Sequence, residues 1–329
     1  MMTFGVLLPT YCGEEFGAGI TLRELERWVH TAEKLGFTYF WHLDRLMARA
    51  PPAYNTSWYE PVTTLAAIMP FVRNARIGTA IVNSTYRNPT ILAKQFATLD
   101  RLSNGKLTIG LGRGWNKAEL QVSNVNFKET SRRFEESAGL IRKLLAEPTV
   151  TFKGEFWQLN DFRLEPRPVQ TPSPPILIGG GGDGIHFKKP MATETGVQTV
   201  LERVARLGDG WIIRTNTTPV EITNSVKTLN AYLVRYGKNP ETFMMAHQNF
   251  VFVLGKSGSE VEARQRFKKL SLRPYEMLTS SYVIGTPDVV STMIRKEAEA
   301  GVKHFIIMPV GIDYETLQFF SDEILPTYS

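Results

Sequence analysis

The chain has 329 residues, 43% hydrophobic and 21% charged, with 26 glycines, a composition that excludes disorder and collagen-like repeats and allows a large core. Its formal charge of +6 arises from 38 basic against 32 acidic residues, dispersed in clusters no longer than pairs such as Lys188-Lys189. That pattern argues against nucleic acid as a partner and suits anionic small molecules. No run of about 18 apolar residues and no basic leader with a cleavage site is present, so neither a membrane span nor export is expected. The single Cys12 cannot close an intramolecular disulfide, in keeping with a cytoplasmic location.

In chain order, apolar runs of strand length fall at Phe4–Leu8, Tyr39–Leu43, Ile77–Val82, Leu107–Leu111, Ile176–Ile178, Trp211–Ile213, Phe250–Leu254 and Phe305–Met308. They are continuous rather than alternating, the pattern of parallel strands covered on both faces. Helical periods separate them. From Thr21 to Gly36 the positions Leu22, Leu25, Trp28, Val29, Ala32 and Leu35 form one stripe, with Thr21 placed to cap it. Helices close on Gly36, Gly105, Gly208 or Gly210, and Gly301, where glycine suits a left-handed C-terminal position.

Strands alternating with helices eight times predict an α/β fold, a (β/α)8 TIM barrel spanning 1–329 as a single domain. Insertions are expected after strands 4, 5 and 7, at about 116–174, 183–199 and 256–284. The first carries a helix near Ser131 to Ala146 and a hairpin from Val150 to Trp157 turning at Lys153-Gly154. A closing helix is expected from Tyr314 to Leu325. In a barrel, segments that follow strands surround the site.

The stretch Lys106 to Lys117, KLTIGLGRGWNK, runs from a strand into a glycine corner. Gly110 and Gly112 begin a dinucleotide fingerprint, but Trp115 holds the place of its third glycine, which removes the close helix packing that motif requires. Small residues beside an arginine remain, suited to an anionic oxygen or simply to a tight turn with a surface arginine. Histidines 30, 42, 186, 247 and 304 show no metal-ligand spacing, and no nucleophile elbow occurs, so no metal is expected. His42 alternates away from Leu43 and Arg45 and reads as a packing residue.

Together with Ala75 to Val82, Tyr86 to Ser103, Pro175 to Gly182, Gly208 to Ile212 and Ile284 to Pro287, this stretch resembles the bacterial luciferase-like superfamily of flavin-dependent monooxygenases and their deazaflavin-dependent relatives. The likeness covers nearly the whole chain. It implies that Arg113, with Gly114 beside it, and Arg132, from the Ser131-Arg132 pair, bind a flavin phosphate, while Arg133 faces solvent. It implies that Gly180, Gly181 and Gly182 offer backbone N–H groups to the anion, and that a non-proline cis peptide joins Ala80 to Ile81 behind the flavin ring. At the end of strand 2 the family often has an acid followed by histidine. Here Asp44 is followed by Arg45, and these two are the candidate catalytic residues; arginine stays protonated but stabilises an oxyanion or binds a carboxylate.

The resemblance implies a two-component monooxygenase that uses reduced FMN from a separate flavin reductase, with dioxygen, on a small organic substrate. Alternatives are a deazaflavin (8-hydroxy-5-deazaflavin)-dependent dehydrogenase or reductase, and a non-catalytic flavin-binding protein. A homodimer or larger homo-oligomer is expected, because the helix from Glu60 to Val72 carries Val62, Leu65, Ile68, Met69 and Phe71, more apolar positions than one barrel-facing stripe needs.

Overall fold

The computed structural model describes residues 2–48, 56–181 and 194–328. Eight strands form the barrel: β1 (Thr3–Leu7), β2 (Tyr39–His42), β3 (Arg76–Thr79), β4 (Leu107–Gly112), β5 (Ile176–Gly180), β6 (Gly210–Ile213), β7 (Met244–Val253) and β8 (His304–Pro309). Each pairs in parallel with the next, and β8 returns to β1, so the sheet closes. This is the (β/α)8 barrel expected from the alternation of apolar runs and helical periods.

Helices α1 (Leu22–Lys34), α2 (Pro61–Ile68), α3 (Pro89–Leu102), α4 (Lys117–Val122), α5 (Thr130–Ala146), α6 (Glu194–Leu207), α7 (Pro219–Arg235), α8 (Glu260–Leu270), α9 (Tyr275–Leu278), α10 (Pro287–Glu299) and α11 (Tyr314–Phe319) follow in order. A capping box between Thr21 and Glu24 starts α1, which buries Leu25, Trp28, Val29 and Ala32. No helix of the described residues is long and apolar enough to cross a membrane.

One apolar layer lies between strands and helices, and a second fills the barrel. Trp41 of β2 occupies the floor, where its indole Nε1–H donates to His304 Nε2 at 2.9 Å. A Cβ on Gly5 or Gly78 would come within 2.5 Å of that indole, so the two flanking strands need glycine where the ring passes.

Several expectations change in detail. β7 begins at Met244 rather than Phe250, because His247, Gln248 and Asn249 interrupt the apolar run without interrupting the ladder. Each is held in place differently: His247 Nδ1 pairs with Glu297 at 2.8 Å, Gln248 lines a cavity, and Asn249 donates to the Ser281 carbonyl at 2.9 Å. The hairpin pairs Val150–Lys153 with Gln158–Phe162, its turn shaped by the Glu136 carboxylate accepting from the N–H groups of Glu155, Phe156 and Trp157. Gly36, Gly105 and Gly301 have positive φ; Gly208 and Gly210 do not, and serve instead where backbone passes close by. Within α2 and the turn after it, Val62, Leu65 and Ile68 are buried in the chain itself and Met69 and Phe71 are partly covered, so these positions no longer argue for a homodimer.

Candidate active site

The C-terminal strand ends enclose a cavity of about 280 Å3. Its apolar walls include Leu43, Ile81, Ile212, Phe250 and Met308, and five arginines, Arg45, Arg113, Arg203, Arg214 and Arg273, reach it together with Asp44 and Glu119. This is the end of a barrel where side chains from different strands meet.

The corner after β4 forms one side. Arg113 donates from Nη1 to the Ser131 hydroxyl at 2.9 Å, and its carbonyl accepts from the Thr85 hydroxyl at 2.6 Å. Gly114 has φ +75°, and a Cβ there would come within 2.0 Å of Asn83 Nδ2, so no side chain fits without rearrangement. Arg203 of α6 lines the cavity as well, its Nε held by Glu135 at 2.8 Å. Burial, and then the charge of Arg203, shift the Arg113 guanidinium downward. Arg203 is already paired with Glu135, whereas Arg113 donates to the neutral Ser131 hydroxyl, an arrangement with charge to spare for an anionic oxygen.

At the end of β5, Gly180 and Gly181 have positive φ and the Gly180 carbonyl accepts from the Trp211 indole at 2.6 Å. Gly179 and Gly180 line the cavity; Gly182 lies outside the described residues. The Ala80–Ile81 peptide is cis and ends β3. Both residues line the cavity, and Ile81 fits between β4 and β5 only because Gly112 and Gly179 lack side chains: a Cβ on either would come within 2.2 or 2.8 Å of it.

Arg132 is not part of this corner. Its side chain is 61% exposed and holds Glu155 through Nε at 3.1 Å and Nη2 at 3.0 Å. The helical turn of about 100° per residue that directs Ser131 inward swings Arg132 out toward the hairpin. Arg133 does not simply face solvent either, for its guanidinium stacks 4.7 Å from the Phe156 ring. Arg203, not Arg132, lines the cavity with Arg113. The sequence signal that could have found it is its spacing with Arg206, which puts both on the Glu135 carboxylate.

Asp44 is almost completely buried and engaged by several donors. It accepts from the Asn83 N–H at 2.9 Å, from Tyr86 Oη at 3.3 Å and from both terminal nitrogens of Arg87. Its carboxylate therefore anchors Arg87 and the loop after β3, and the residue also lines the cavity. Arg45 lines the cavity with its guanidinium carbon 5.3 Å from the Trp115 ring and 5.9 Å from Trp58. Trp115, the residue that breaks the dinucleotide fingerprint, is thus a cavity wall. Glu119, which sequence reasoning missed, is 7% exposed and accepts at Oε1 from the N–H groups of Leu46 and Met47.

His42 stays out of the cavity. Its Nδ1–H donates to the Leu43 carbonyl at 2.7 Å, its Nε2 accepts from the Thr10 hydroxyl at 2.7 Å, and burial lowers its pKa to about 4. Two cavity acceptors, Asn216 Oδ1 and Gln248 Oε1, are buried without a hydrogen-bond partner among the described residues. Together with the Arg113–Arg203 pair, such orphaned acceptors fit a ligand that carries both a phosphate and N–H donors, as FMN does.

Residues 2–268 match the family model of the luciferase-like monooxygenases. An F420-dependent glucose-6-phosphate dehydrogenase from Amycolatopsis mediterranei is 26% identical over 95% of each chain. An FMNH(2)-dependent dimethylsulfone monooxygenase from Pseudomonas putida is 30% identical over 45% of this chain and 41% of its own. Among solved structures, the monooxygenase RslO1 from Streptomyces bottropensis has the same fold, with TM-score 0.81 at 24% identity over 100% of both chains.

Proposed function

The chain belongs to the luciferase-like monooxygenase family, and from that premise we propose that it binds reduced FMN and oxygenates a small organic substrate. The observation that carries this reading is the Arg113–Arg203 pair beside the glycine end of β5. A phosphate dianion there would be held by Arg113, by the part of Arg203 that Glu135 leaves available, and by backbone N–H groups of the glycine turn. Asn216 and Gln248 would accept from the ring system, and Ala80–Ile81 would back it.

When bound, reduced FMN supplies the electrons and the reactivity toward dioxygen. The chain binds, orients and excludes water. Leu43, Ile81, Ile212, Phe250 and Met308 make the dry wall, and the cationic side chains stabilise negative charge that develops on oxygen. Arg45 occupies the place where the family often has histidine and cannot accept a hydroxyl proton. This substitution favours oxygenation over alcohol dehydrogenation. A flavin reductase in the cytoplasm would deliver the reduced cofactor, as in two-component monooxygenases.

A second reading is a deazaflavin-dependent reductase that transfers a hydride to an electrophilic substrate. Its support is the full-length similarity to an F420-dependent relative. Anaerobic titration of the protein with reduced FMN and with reduced F420, followed by absorbance, separates the two. Tight FMN binding and substrate-dependent dioxygen consumption are expected; F420 binding with no uptake of dioxygen would replace the first reading with the second.

A further inference from the structure

The cavity also holds a second pair of charged side chains. Glu119 of α4 and Arg45 after β2 line the same space and interact through charge. Oε1 of Glu119 is fixed by the N–H groups of Leu46 and Met47 at 3.2 and 3.3 Å. Its Oε2 takes no hydrogen bond from the described residues. Trp115 and Trp58 flank the Arg45 guanidinium, so a planar acid could reach that charge along an aromatic wall.

We propose that Arg45 and Glu119 form a proton-linked binding site for a small organic anion, with the Glu119 carboxyl taking up a proton from solvent as the anion settles on Arg45. The chemical reason is crowding of like charge. Asp44 already stands beside Glu119 with Tyr86 and Arg87 attached to it. Once an anion engages Arg45, an ionised Glu119 would lie between two negative groups in a poorly hydrated space, and such a carboxylate takes a proton. Arg214 and Arg273 reach the same cavity, and Arg113 and Arg203 lie at its phosphate end, so the site selects anions over cations. Burial already pushes the Glu119 carboxyl up, opposed by Arg45. The proton returns to solvent on release, and no electron moves.

The inference rests on this cavity as the substrate's place and is independent of which cofactor is used. Its test is benzoate binding to the cofactor-free protein, read by tryptophan fluorescence, with proton uptake read by an indicator dye in weakly buffered solution. Wild type should bind benzoate with uptake of up to one proton, its affinity falling by as much as about tenfold per pH unit above the Glu119 titration. Glu119→Gln, which is isosteric, should bind with pH-independent affinity and no proton uptake. Arg45→Met should lose benzoate, and Arg45→Lys should retain the proton linkage. Benzoate that fails to bind wild type, binds without proton uptake, keeps its uptake in Glu119→Gln, or ignores Arg45→Met would overturn the proposal. A separate FMN titration of the same proteins reports on the cofactor reading alone.

Discussion

Arg113 and Ser131 are joined by a 2.9 Å hydrogen bond from Nη1 to the serine hydroxyl. The bond ties the corner after β4 to the first turn of α5 and fixes a guanidinium beside Arg203.

If that guanidinium meets the cofactor phosphate, Arg113→Ala should weaken FMN binding and leave riboflavin nearly untouched. A charge-assisted bond contributes about 1.5 to 3 kcal/mol, equivalent to roughly tenfold to a hundredfold in Kd. Arg132→Ala, which removes only the exposed pair with Glu155, should leave both affinities alone. Fluorescence titration with both flavins decides, and equal losses for FMN and riboflavin in Arg113→Ala would remove the phosphate role.

Gly78→Ala tests the barrel floor. Its new methyl would lie 2.5 Å from Trp41 Cζ3 and 3.1 Å from the Thr108 carbonyl, with the indole already held by His304. Overpacking of this kind costs about 1 to 3 kcal/mol. A urea midpoint unchanged from wild type would show that the floor adjusts freely.

The Asp44–Arg87 pair should behave as a buried unit. Arg87→Met leaves the Asp44 carboxylate, 4% exposed, without its main counter-charge and should destabilise by about 3 to 5 kcal/mol. Asp44→Asn combined with Arg87→Met should recover much of that loss. Chemical denaturation of the single and double variants gives the coupling; additive losses would mean that the two residues act separately.

Two buried histidines set an acid limit. Burial lowers His42 to about 4 and His304 to about 3. Both values lie below the ordinary 6.5, so in that window the unfolded chain binds more protons than the native one. Their contribution is complete above pH 6.5 and is lost as pH falls toward 4 and 3, by about 1.4 kcal/mol per unit for each ring. Urea unfolding between pH 4 and 7.5 should show this slope, and His42→Gln and His304→Gln should each flatten it. An unchanged slope in both variants would assign the acid sensitivity to carboxylates.

The sequence by itself determined the barrel. Strands buried on both faces need continuous apolar runs, and helices that pack on them need one stripe and a stop, so the alternation is written locally in Phe4–Leu8, Thr21 to Gly36 and their successors. It also marked the corner at Arg113 and Gly114, because a left-handed turn beside a strand end needs glycine. The tertiary structure decided which side chains share the cavity. Arg132 and Arg133 are neighbours in sequence, yet helical phase and the hairpin send one to Glu155 and the other onto Phe156. Arg203 comes beside Arg113 only because β4 and β5 pair side by side and α6 docks on α5 through Glu135. Glu119 and Arg45 meet for the same reason: the loops after β2 and β4 converge at one barrel mouth, and the strength of a charge contact depends on distance in space and on burial, neither of which local sequence specifies.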